Sequence, residues 1–169
     1  NNTMKPLKLT IGMKTSRPMF RLSAIGGLLI DELLANTTHL KSFSKVFKLV
    51  EQDGVKNNFR LSGDNHNFYV GLNDIQYSID YYNSKSILDI DYEISRFISL
   101  YEVVNNSLEI NDIHRIGMVC EYQVSTKTTY VSKELLEKIT NYKPDGYPAK
   151  FSLQFEQRHP ITNAVGIPD

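Results

Sequence analysis

Asp74-Ile75-Gln76-Tyr77-Ser78-Ile79-Asp80-Tyr81 alternates polar and apolar residues without a break. Side chains of a β-strand point to opposite faces in turn, so the pattern describes a strand with one face on a core and one in water. Three other segments repeat it: Leu7, Leu9, Ile11 and Met13; Ile116, Met118, Cys120, Tyr122 and Val124; and Phe151, Leu153 and Phe155, with polar or small residues between. One-sided strands of this kind build antiparallel sheets whose apolar face is covered by helices.

Upstream of Asp74 the chain reads as a meander. Strands are expected over 45–52, 57–62 and 67–72, with Asp53-Gly54 as a hairpin turn between the first two, because that pair accepts the positive φ angles the turn needs. Gly63-Asp64-Asn65-His66-Asn67 and Leu72-Asn73-Asp74 supply the other reversals. Before the meander, Ile25, Leu28, Leu29 and Leu33 recur at helical spacing, preceded by a first strand over 6–14. Gly26 and Gly27 each cost that helix about 1 kcal/mol relative to alanine, which points to close packing on the sheet.

Downstream, Ile94, Phe97, Ile98, Tyr101, Val104 and Leu108 fit a second helix. Asp91 is its expected N-cap, Glu93 suits the positive end of its dipole, and Asn105-Asn106 mark its end. A strand over 113–125, a helix over 132–141 capped by Ser132, a Pro- and Gly-containing loop and a last strand over 149–159 complete the order.

The sequence thus predicts an α+β fold, a curved and mainly antiparallel sheet of six or seven strands with helices on one face. One domain spans 1–169, with structural halves over 5–110 and 111–169. The first seven elements run in the order of the repeat of the TATA-box-binding-protein-like fold. The resemblance is one of topology, carried by no residue motif, and implies nothing about function.

A chain of 169 residues is long enough to bury a core without staples, and 41% hydrophobic with 22% charged residues is ordinary for a globular protein. No apolar run approaches the roughly 20 residues of a membrane helix, so no membrane contact is expected. Nineteen basic residues balance nineteen acidic ones, which argues against a dedicated nucleic-acid binder. The single cysteine, Cys120, excludes an internal disulfide and reads as a small hydrophobe on the inward side of its strand. A cytoplasmic setting is expected on that ground. Abundant Asn, Lys, Ile, Tyr and Ser without Trp match the bias of an AT-rich bacterial or phage genome. Asn1-Asn2-Thr3 ahead of Met4 reads as a processed start, and the turn-like Gly166-Ile167-Pro168-Asp169 suggests that more chain follows.

No catalytic, metal or nucleotide motif stands out, so no cofactor and no catalytic residue are assigned. His39, His66, His114 and His159 are scattered without ligand spacing. Outward strand positions carry the candidate binding surface instead. They are Arg115 and Glu121 on one strand and Gln154, Glu156 and Arg158 on the last, with His114 at a strand start and Tyr101 and Tyr122 near the core rim. A non-catalytic protein-binding or assembly module is the leading expectation, with homodimerisation through an open sheet edge or a tyrosine-rich surface. A small-molecule binder or hydrolase, with a pocket lined by Tyr101, Tyr122 and an acid such as Glu121, is the alternative. Nucleic-acid binding on the open sheet face comes third.

Overall fold

The structure, a computed structural model, describes residues 4–36, 43, 46–52, 55–82, 87–124, 130–140, 143, 145 and 146. The expected turn at Asp53-Gly54 and the expected strand over 149–159 lie outside these residues.

Contacts divide the chain into two units, Asn1–Val124 and Ser125–Asp169. The first holds a six-stranded sheet built from β1 (Met4–Thr15), β2 (Val46–Gln52), β3 (Val55–Ser62), β4 (His66–Gly71), β5 (Asp74–Asp80) and β6 (Ile113–Val124). Spatial order is β2-β3-β4-β5-β1-β6 and every pairing is antiparallel. The strands β2 to β5 form the expected meander. Strand β1 comes first in the chain but lies inside the sheet, between β5 and β6.

The alternation seen in the sequence sets which face is buried. Ile75, Tyr77 and Ile79 of β5 are in register with Met13, Ile11 and Leu9 of β1, and all six are buried. Phe68 and Val70 of β4, with Phe59 and Leu61 of β3, extend the same face. Helices α1 (Arg21–Ala35) and α2 (Ile90–Leu108) supply the cover: α1 packs on β3 and on α2, and α2 bonds to β5. Each fully buried Leu, Ile or Phe contributes about 1.5–3 kcal/mol relative to exposure.

Both helices differ in detail from the sequence reading. The buried stripe of α1 is Leu22, Gly26, Leu29 and Leu33, and Leu28 is 66% exposed. Gly26 is buried, as close packing requires, whereas a side chain added at Gly27 would meet nothing within 4 Å. The buried stripe of α2 is Glu93, Phe97, Leu100, Val104 and Leu108, with Ile98 exposed. Its N-cap is Asp89, not Asp91: the Asp89 carboxylate accepts the Tyr92 N–H at 3.0 Å. Asn105 does not end the helix but helps to close it, its backbone oxygen accepting from Glu109 N at 2.8 Å and its side-chain oxygen from Ile110 N at 2.9 Å. Glu109 follows in the left-handed region at φ 53°.

In the second unit, α3 (Val131–Ile139) starts at Tyr130 as its N-cap residue rather than Ser132, with no side-chain cap. Ion pairs Lys133–Glu137 and Lys138–Glu134, both at i,i+4 spacing, lie on it, and Thr140 Oγ1 donates to Leu136 O at 2.8 Å.

Candidate functional site

Strand β6 is the outermost strand beside β1, and among the described residues it pairs with β1 alone. Its register sets Ile116, Met118 and Cys120 beside Met13, Ile11 and Leu9, so its inner face continues the core face of the sheet. The expected burial of that face does not follow. Ile116 is 63% and Met118 46% exposed, Tyr122 is exposed, and Cys120 is half-buried. The reason is one of width. Two helices side by side cover about 20 Å of sheet, the width of about four strands. Six strands outrun them, and among the described elements no helix lies over the last.

An apolar groove of about 580 Å³ results between α2 and β6. Ile94, Phe97, Ile98 and Tyr101 form its helix wall, Ile113, Ile116 and Met118 its strand wall, and Ile11 and Met13 its floor. Tyr101 and Glu102 contribute its polar groups. Burial raises the Tyr101 hydroxyl above its usual pKa, so it stays a hydrogen-bond donor.

The outer face of the same strand is charged. Glu121 lies opposite Lys8, which lies opposite Asp80, so acid, base and acid form a row across β6, β1 and β5. A second row runs Arg115, Lys14, Asp74. In it Arg115 of β6 and Lys14 of β1 are register partners. Arg115 and Glu121 share this face about 20 Å apart along the strand, too far to act on one small group.

A polar cluster lies inside the core. Glu93, only 7% exposed, accepts from the Tyr77 hydroxyl at 2.9 Å and more weakly from Tyr81 at 3.5 Å. The Arg96 guanidinium is 3.8 Å from the same carboxylate and sits over the Tyr77 ring at 5.5 Å and the Tyr92 ring at 5.8 Å. His66, 5% exposed, packs edge-on to Phe43 at 5.0 Å and near Tyr77 at 6.4 Å. Burial, reinforced by the Arg96 charge and opposed by Asp64, lowers its pKa to about 4, so the ring is neutral near pH 7. Burial first, and Glu93 second, push the Tyr81 hydroxyl up to about 12. Tyr77 is raised further, again mainly by burial. Both phenols therefore remain donors to Glu93, and the cluster fastens α2 to β5.

Of the residues picked out by sequence, Tyr101 lines the groove. Arg115 and Glu121 share the outer face of β6, and His114 is exposed on that strand. Tyr122 lies beyond the groove, opposite Pro6, next to an irregularity where Leu7 drops out of register. Tyr101, Tyr122 and Glu121 do not converge, because adjacent strand residues face opposite ways. Gln154, Glu156 and Arg158 lie outside the described residues. The buried cluster was missed. Its signal was an acid, Glu93, on the apolar stripe of α2, together with tyrosines on the inward face of β5.

Among the described residues no group of three or more His, Cys, Asp or Glu side chains is placed to hold a metal ion. No described helix is long and apolar enough to cross a membrane. No protein-family model, curated protein or solved structure matches this chain.

Proposed function

We propose that this chain is a non-catalytic protein-binding or assembly module of the cytoplasm, and that it receives an extended segment of a partner protein along β6. The supporting observation is β6 itself: 12 residues long, paired among the described residues with β1 alone, exposed on both faces and apolar on the side that borders the groove. A strand added there gains ladder hydrogen bonds and turns alternate side chains toward the groove, the usual physics of strand addition. The cytoplasmic setting is supported by the lone free thiol of Cys120.

A photoreactive benzophenone amino acid in place of Met118 tests this. Irradiation in cells is expected to give a discrete protein adduct that disappears when Ile116→Lys is added. Irradiation that yields no protein adduct defeats the proposal.

A second reading is favoured by the groove alone. Its volume falls within the ~300–1,000 Å³ of small-molecule sites, and Tyr101 with Glu102 suits an apolar ligand carrying a donor or a positive charge. Native mass spectrometry of the purified chain separates the cases: a discrete added mass supports a ligand, and the bare chain mass removes it.

A further inference from the structure

We infer that the buried Glu93 cluster is a latch that keeps the groove open: by tying one edge of α2 to β5, it stops the helix from rolling on to β6. This rests on the groove being the place that receives an occupant, whether a protein segment or a small molecule. At about 100° per residue, the apolar side chains of α2 fill an arc of about 160°. The arc runs from Leu100 through Val104, Phe97 and Tyr101 to Ile98. Its middle is buried on the sheet. Its Ile98 edge is exposed and forms the groove wall that faces Ile116 and Met118, themselves exposed. Glu93 stands at the other edge, beside Leu100, and its bonds to Tyr77 and Tyr81 run to β5.

Apolar burial has no preferred direction. The arc is wider than the part of it that lies on the sheet, so apolar contact alone does not fix how α2 is turned. A small roll toward β6 would keep Phe97 and Val104 on the sheet. It would also bring Ile98 and Tyr101 down on Ile116 and Met118, closing the groove and taking its walls out of water. The observed position forgoes that gain. Hydrogen bonds, unlike apolar contacts, are directional, and the same roll lifts Glu93 off the Tyr77 hydroxyl it meets at 2.9 Å. A buried donor would be left without its acceptor, which is costly. Tyr81, at 3.5 Å, adds a weaker tie. Ser107 of α2 also bonds Glu32 of α1, but at an exposed position, where water replaces the lost bond at little cost.

Methyl-labelled NMR of the full chain with a soluble paramagnetic agent tests the latch. In the unaltered chain the methyls of Ile98, Ile116 and Met118 are expected to relax strongly, as does exposed Leu28 on α1. Tyr77→Phe keeps the ring in the core and removes the shorter bond. Losing one such bond shifts a two-position equilibrium by about tenfold, so relaxation at the three groove methyls is expected to fall by about half or more. Leu28 should not change. Tyr81→Phe, which removes the longer bond, is expected to do less. A core that is merely loosened behaves in the opposite way, with relaxation rising, and rising at buried Val104.

Groove methyls that relax as strongly in Tyr77→Phe as in the unaltered chain, or more strongly, overturn the inference and leave the groove in place. Groove methyls already protected in the unaltered chain mean that the groove is filled or closed from the start. That result overturns the latch and the reading it rests on together.

Discussion

Glu93 is the residue whose replacement should be felt most. It accepts from Tyr77 at 2.9 Å and lies 3.8 Å from Arg96, whose side chain is only 12% exposed. Removing one partner of a buried charged pair typically costs about 3–5 kcal/mol, because the other is left uncompensated. Glu93→Ala is therefore expected to destabilise by that amount in chemical denaturation. Tyr77→Phe, which removes one hydroxyl and leaves Arg96 in place, should cost only about 1–2 kcal/mol. Equal effects would contradict the geometry. His66 makes the second prediction. Its pKa is about 4 in the folded chain against 6.5 for the free side chain, so the unfolded chain binds the extra proton between those values. The contribution of His66 is whole above pH 6.5 and is lost as pH falls toward 4, a difference of about 3 kcal/mol. His66→Phe should flatten the stability curve across that window; an unchanged slope would count against a neutral buried ring. On the alkaline side the sign reverses. Tyr81, raised to about 12, supports the fold below pH 10 and ceases to as pH climbs past 12.

The helix α1 offers the prediction at the scale of one element. Gly27 sits inside it with open space where a side chain would go, so its lost entropy is offset by no close contact. Gly27→Ala should stabilise the chain by about 0.5–1 kcal/mol, read as a higher denaturation midpoint. Gly26→Ala, at a buried position on the packed stripe, should not. The two glycines look alike in sequence, and the distinction between them shows what was legible. Period and alternation gave every described strand and helix, because side-chain direction is a local property of the backbone. They also gave Arg115 and Glu121 on one strand face. They could not give how far each apolar stripe is covered. Leu28, Ile116 and Met118 carry the pattern of core residues, yet whether a helix lies over them depends on the width of the whole sheet. For the same reason the groove was invisible: it exists where coverage stops. The buried cluster hid behind a correct local argument, since Glu93 does lie in the acidic first turn of α2, but its side chain turns inward to Tyr77.

At the scale of the molecule, the sheet, α1 and α2 all lie in the unit Asn1–Val124, and its buried residues form one cluster. A chain ended after Val124 is expected to unfold in one cooperative transition and to keep the His66 pH slope. Loss of cooperativity would show that Ser125–Asp169 is needed for this core. The position of β1 has a consequence for synthesis. Of the six strands of this sheet it is made first, yet both of its neighbours are made later: Lys8 must wait for Asp80, then for Glu121. At ordinary translation rates it stays unpaired for on the order of ten seconds, with Leu9, Ile11 and Met13 uncovered. The meander can close meanwhile from neighbours in sequence, so the nascent chain meets the cell as a preformed sheet awaiting its oldest strand. That interval, rather than the finished fold, is where a chaperone would find this protein.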